Sequence, residues 1–501
     1  MATRAARAAR AARFVPTPSE LPEVQGDDGI RRDGRMASSA GEAAHQAGKL
    51  RFPPSFFCGA ATAAYQVEGG LHACNWSEWE ASGRNHGHSA GRACDMWNTF
   101  ESDVRHMKDL GVRMYRFSVD WSRVEPLEGA YDEAAIDRYV RWCTLLRAAG
   151  IEPMLTLHHF VHPAWFDAKG GWERGSNVAC FARFVTHVCA RLGPHCRYWC
   201  TMNELNGFAV CGWLAGVHPP GKKDDVVTLV LVVKHMLMAH ARAAELIRAA
   251  AEARADDCAP IICMALNHIV FTPTHAGGLG GLLSAVCATI LSYLFNFLYV
   301  DLLVFGRCFW ACQLLFCLLG WRRDLASLRG SVDWLGVNHY YRAVVRVGRA
   351  RHDARGDTPL SASDLFIKLP GGIVISASAV EGFEKSDMGW DLTPSSMRFL
   401  LSTLWRRYRL PLIVTESGIA DGDEPDERRI RYLASCLGIA RALQEEEGVD
   451  LRGYLIWTLL DNFEWAEGFA PRFGLLKTDF ETLERSTRAS SAMIKRVFQP
   501  E

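Results

Sequence analysis

Several features are missing from this 501-residue chain, and each absence removes a class of function. There is no excess of charge of either sign: 56 basic residues balance 56 acidic ones, so no global attraction draws the protein to nucleic acid. The sixteen cysteines form no CxxC pair and no Cys/His metal spacing. Such scatter fits the reduced thiols of an intracellular protein better than a disulfide framework. No internal repeat of solenoid period is present. After the first strand-like run, Gly59-Ala60-Ala61-Thr62 is not a Gly-rich phosphate loop, which argues against an open doubly wound sheet. The one Asn-X-Ser sequon, Asn75-Trp76-Ser77, is as consistent with chance as with glycosylation.

The first 50 residues lack any acid before Glu20 and carry Arg4, Arg7, Arg10 and Arg13 among alanines. They also lack the apolar core of a secretory signal. Two readings stand. One is an organellar transit peptide, placing the protein in a plastid or mitochondrion; the other is a disordered tail on a cytoplasmic protein. Either way the folded domain is expected over residues 51–501.

What the chain does have is alternation. Apolar strand-like runs cover Phe56 to Ala63, Met114 to Val119, Pro153 to His158, Tyr198 to Thr201, Ile261 to Asn267, Trp334 to Asn338, Leu412 to Thr415 and Gly453 to Thr458. Helical patterns such as Asp132 to Ala149 and Val178 to Leu192 separate them. Continuous apolar strands alternating with helices imply a parallel sheet, and eight such units predict a single α/β domain, a (β/α)8 TIM barrel. In that architecture chemistry sits at the C-terminal ends of strands. Here nearly every run ends in polar groups, among them His158-His159, Asn203-Glu204, Asn267-His268, Asn338-His339-Tyr340 and Glu416. Two of these ends, Thr201-Met202-Asn203-Glu204 and Val414-Thr415-Glu416-Ser417-Gly418, each present a carboxylate. Paired carboxylates are the minimum equipment for cleaving a glycosidic bond through an oxocarbenium-like transition state.

With these motifs in order, from Tyr65-Gln66-Val67-Glu68-Gly69 through Tyr115-Arg116-Phe117-Ser118 to Trp457-Thr458-Leu459-Leu460-Asp461-Asn462-Phe463-Glu464-Trp465, the chain resembles glycoside hydrolase family 1, the β-glucosidase and β-galactosidase family. The resemblance runs from about Arg51 to Phe498. It implies a retaining exo-β-glycosidase with Glu204 as acid/base and Glu416 as nucleophile. By the same resemblance Gln66, His159, Asn203, Glu464 and Trp465 bind sugar hydroxyls, and Trp457 is the floor under the sugar. Arg116, Tyr340 and Asn338 support the nucleophile, and Trp390 lines the leaving-group entrance. No metal or organic cofactor is required, and the partner is a small β-glycoside: a glucoside, and also galactosides or fucosides. Glu464-Trp465 would repel a phosphate, which points to unphosphorylated sugars. Three positions depart from the family pattern: Leu205 in place of proline, Phe160 in place of tryptophan, and Ser417 in place of asparagine. They bear on aglycone choice and rate. Two alternatives stay open at this level: a transglycosidase passing the sugar to lipid or alcohol acceptors, and a catalytically silent sugar- or lipid-binding barrel.

The segment from Ala276 to Trp321 is unusual. Ala276 through Val300 contain no charge, a length that qualifies as a membrane-spanning candidate. Because the segment joins neighbouring barrel strands, both of its ends return to one side, which argues against a single span. Three readings follow: a buried helical pair on the rim, a surface resting on a membrane, or an apolar wall for a lipid-like aglycone. Nothing in the sequence speaks to oligomeric state.

Overall fold

A computed structural model describes residues 39–274, 278–349, 365–369, 373–379 and 382–499. The Arg/Ala-rich stretch read above as a transit peptide or tail lies outside the described residues, apart from its last dozen positions.

Eight parallel strands close into a barrel: β1 (Phe57–Ala61), β2 (Met114–Ser118), β3 (Glu152–Thr156), β4 (Tyr198–Asn203), β5 (Ile261–Asn267), β7 (Leu335–Asn338), β11 (Leu412–Ser417) and β12 (Leu451–Trp457). Ring closure comes from β1, which pairs with β12 on one side and β2 on the other. These strands are buried on both faces, which is why each reads as an unbroken apolar run. Gly59 sits where β1 presses on β2; a Cβ there would stand 2.2 Å from the Met114 carbonyl oxygen. All eight runs expected from the sequence fall on these strands.

A second sheet was not anticipated. β6 (Val270–Pro273), β8 (Arg342–Arg349), β9 (Leu365–Leu369) and β10 (Ile373–Ser378) associate in the order β6-β8-β10-β9, above the C-terminal ends of β5 and β7. A short ribbon, β13 (Leu476–Thr478) with β14 (Arg485–Thr487), follows the barrel.

The barrel is wrapped by α2 (Met96–Leu110), α3 (Glu133–Ala148), α4 (Val178–Leu192), α5 (Val226–Arg254), α10 (Pro394–Tyr408), α11 (Glu427–Glu446) and α12 (Ala489–Phe498). Aspartates start two of them: Asp132 accepts from the Ala135 amide at 3.0 Å and Asp225 from the Thr228 amide at 3.1 Å. Before β1, α1 (Ala40–Ala47) buries Ala40, Ala43 and Ala47 and packs against α11. Packed structure therefore begins ahead of the boundary expected at residue 51. Three alanines at helical spacing make a close-fitting face but a faint hydrophobic signal, which explains the difference.

The apolar insertion is described from Gly278. It forms α6 (Gly278–Ser292), a π-helical turn (Tyr293–Phe297), α7 (Leu298–Phe305), α8 (Trp310–Leu318) and α9 (Arg322–Ser327). Its one acid before Asp324 is an anchor. Asp301 is buried against Arg407 of α10 at 2.6 Å and accepts from the Tyr408 and Tyr293 hydroxyls at 2.8 and 3.1 Å. One side of the insertion is thus fixed to the barrel, and the other remains exposed.

Candidate active site

At the C-terminal end of the barrel, the strand ends converge on a pocket of about 150 Å³. It is lined by His159, Asn203, Glu204, Tyr340, Trp390, Glu416, Trp457, Glu464 and Trp465, so nine of the residues named from sequence share one cavity. Gln66, Arg116 and Asn338 stand immediately behind, joined to the lining by hydrogen bonds.

The two strand-end glutamates meet different surroundings. Glu416, on β11, accepts from Arg116 Nη1 at 2.6 Å on one oxygen and from the Tyr340 hydroxyl at 2.7 Å on the other. Arg116 is itself aimed by Thr156 Oγ1 at 2.9 Å and Asn203 Oδ1 at 2.7 Å. Burial pushes the Glu416 carboxyl above its ordinary value, while Arg116 and Tyr340 pull it back. Glu204 follows β4 in a left-handed backbone conformation, with φ of 43°. Its partners are uncharged amides: Asn338 Nδ2 at 2.7 Å and Asn267 Nδ2 at 3.0 Å. Burial, and then the charge of Glu416, raise Glu204 to about 8. Of the pair, Glu416 has a cation to hold its charge and Glu204 holds a proton.

Behind them runs a continuous polar network. Asn203 Oδ1 accepts from both Arg116 and Asn338, so the Asn203 amide must donate through Nδ2, which lies 3.0 Å from His159 Nε2. That fixes the neutral His159 tautomer with its proton on Nδ1. This nitrogen is buried without a protein partner. Gln66 repeats the pattern: Nε2 donates to Asn462, Phe463 and Glu464, while Oε1 is left unpartnered. Buried polar atoms normally find partners, so these two leave one unpaired donor and one unpaired acceptor at the site. Glu464 is raised to about 8 by burial and by the charge of Glu416, against hydrogen bonds from Gln66 and Trp457. The Trp457 ring is stacked near His159 with centroids 5.7 Å apart.

The outer wall is aromatic. Trp390 stacks on Tyr341 at 5.0 Å and leans on Tyr340 and Phe473. Phe160 adds a hydrocarbon edge against Phe208 and Trp465. Leu205 is fully buried, and the Ser417 hydroxyl lies 3.3 Å from that of Tyr432, so neither faces the cavity.

Sequence reasoning passed over Asn267 as a ligand of Glu204, and over Tyr341 and Phe473 in the wall. The polar end of β5 was a usable signal for Asn267; the two aromatics lie in loops whose spacing carries none.

Residues 48–501 match the sequence profile of Glycosyl hydrolase family 1. Beta-glucosidase A of Acetivibrio thermocellus is 32% identical over 474 residues, spanning 90% of this chain and 99% of the relative. The crystal structure of the GH1 beta-glucosidase from Exiguobacterium antarcticum aligns with a TM-score of 0.76 at 29% identity, covering 89% of this chain and 98% of that one. A Thermotoga maritima beta-glucosidase in complex with deoxynojirimycin aligns equally well, with a TM-score of 0.76, 29% identity and the same coverage. The barrel, the pocket at its C-terminal rim and these relatives agree on an O-glycosyl hydrolase of the β-glucosidase type: the chain belongs to glycosyl hydrolase family 1.

Proposed function

We propose that this enzyme hydrolyses unphosphorylated β-D-glucosides, and β-galactosides or fucosides, by double displacement, with Glu416 as nucleophile and Glu204 as acid/base. The carrying observation is the unequal support of the two carboxyls: Arg116 and Tyr340 on Glu416, two neutral amides on Glu204.

In this reading Glu416 attacks the anomeric carbon as Glu204 gives its proton to the departing oxygen. The glycosyl-enzyme ester carries no charge at Glu416. With that charge gone, the repulsion that helps to raise Glu204 vanishes and its pKa drops, so it can then take a proton from water for the second displacement. His159 Nδ1–H and Gln66 Oε1 supply a donor and an acceptor to ring hydroxyls, and Trp457 offers a flat apolar face. No lysine or arginine is among the described residues that line the pocket, and Arg116 behind them is committed to Glu416, so nothing there is placed to answer a phosphate charge.

The test is hydrolysis of an aryl β-D-glucoside followed by proton NMR. The β-anomer should form first, and Glu416→Ala should lose essentially all turnover. Initial release of the α-anomer, or full activity in Glu416→Ala, would overturn the assignment.

A further inference from the structure

The usual polarity of a surface helix is inverted in the insertion. α6 turns Ser284, Ala288 and Ser292 inward, all buried, and the Ser284 hydroxyl accepts from the Val347 amide of β8 at 3.1 Å. A row of large side chains points the other way: Leu282, Val286 and Ile290 of α6 and Leu294 of the π-helical turn follow one another at four-residue steps and are 62, 44, 50 and 42% exposed. The pattern repeats in α8, where Trp310, Leu314 and Leu318 are 70, 55 and 77% exposed. The two stretches touch, since the Phe309 amide donates to the Tyr293 hydroxyl at 2.5 Å. A helix shaped only by a water-soluble fold buries its leucines and shows its serines. Two rows doing the reverse within one insertion expose more apolar surface than the scattered residues of an ordinary surface.

Charge selects the occupant. Between residues 278 and 329 the exposed charged side chains are Arg307, Arg322, Arg323 and Arg329. The two acids of that stretch are answered inside the protein, Asp301 by Arg407 and Asp324 by Lys234. Apolar rows bracketed by arginines match an anionic headgroup layer over an acyl interior. A second copy of the chain, related by a two-fold axis, would bring like-charged arginines together. An apolar groove of about 240 Å³ also lies between α5 and the insertion, walled by Leu229, Val233, Leu298, Phe316 and Trp321.

Position links this face to the pocket. The Phe295 carbonyl accepts from Asn206 Nδ2 at 3.0 Å, and that same nitrogen donates to the Asn267 carbonyl at 2.7 Å. Asn267 in turn holds Glu204. Leu291 and Phe295 pack in one cluster with Tyr341 and Trp390, the outer wall of the pocket.

We propose that the outward face of residues 278–329 is a docking surface for an anionic lipid bilayer, which brings the pocket mouth to β-glucosides carried on lipids. The second half rests on the hydrolase reading given above; the first does not. The experiment sediments the full-length protein with vesicles of phosphatidylcholine, with and without phosphatidylserine. Binding should be stronger to the anionic vesicles. Leu282→Gln/Val286→Gln/Ile290→Gln should weaken it by about tenfold or more, and Arg322→Gln/Arg323→Gln by about tenfold on anionic vesicles alone. Turnover of a soluble aryl β-glucoside should be unchanged in both variants, while turnover of a β-glucosyl lipid embedded in the vesicles falls with binding. No sedimentation, or equal sedimentation of the triple variant, would overturn the proposal. So would a dimer by light scattering that the triple variant turns into a monomer, since the face would then belong to a second copy. If the parent binds vesicles but cleaves neither glucoside, the docking surface stands and the proposed reaction falls.

Discussion

Glu204 and Glu464 keep their protons to about pH 8 because burial and a neighbouring carboxylate disfavour their charge. In the unfolded chain such groups ionise near 4.5. Between these values the native protein holds protons that the unfolded chain has lost, so stability falls as pH rises through that window. Glu204→Gln removes one such group. Its Tm relative to the parent should climb from about pH 5 to about pH 9 in scanning calorimetry; a constant gap would mean that Glu204 is already ionised in the fold. The same variant should lose about 10²- to 10⁴-fold in kcat on a substrate with a poor leaving group, and the parent's kcat/KM should decline above about pH 8 as the acid is deprotonated. At this scale the sequence was informative wherever a residue sits in a short string at a strand end. Thr156, Thr415 and Asn267 also stand at such strand ends, but nothing in the sequence says that they aim Arg116, Asn338 and Glu204. It was also ambiguous at Asn75, whose amide donates to the Phe160 carbonyl at 2.9 Å and is buried. That sequon is closed to a glycan.

Among elements, β11 shows how tightly the catalytic rim is built. A Cβ on Gly418 would lie 1.9 Å from the Trp457 carbonyl oxygen, a clash of backbone with no flexible side chain to yield. Gly418→Ala should therefore spread β11 from β12 and displace both Glu416 and Trp457, cutting aryl-glucoside turnover by about 10²-fold or more at unchanged helical content by circular dichroism. The insertion carries a different expectation. Asp301→Ala leaves Arg407 buried without its partner, a loss of about 3–5 kcal/mol, visible as a lower urea midpoint. Barrel strands were legible because burial on both faces writes an unbroken apolar run. The second sheet was not: β8, Arg342-Ala343-Val344-Val345-Arg346-Val347-Gly348-Arg349, mixes arginines with valines and pairs across long connections. Nor could hydrophobicity alone say which side of α6 faces the protein, since residue counts do not reveal that serine packs inward and leucine outward.

Over the whole molecule, the first and last barrel strands are neighbours, and their partnership is reinforced from both flanks. Arg485 bridges to Asp103 of α2 at 3.0 Å, and the Gln66 amide donates to the Phe463 carbonyl at 2.8 Å across 397 positions of sequence. A chain ending at residue 450 would lack β12, leaving the edges of β1 and β11 unpaired; it should collect in the insoluble fraction, whereas the full chain stays in solution. The closed ring also has a consequence for synthesis. A ribosome makes β1 early and β12 among the last strands, so the nascent protein carries two open apolar edges for nearly the whole of its elongation. Glu204 emerges long before Glu416, and neither can find its geometry until the ring shuts. The enzyme therefore acquires its chemistry only once β12 closes the ring, and a chain short of β12 has no partial activity to offer.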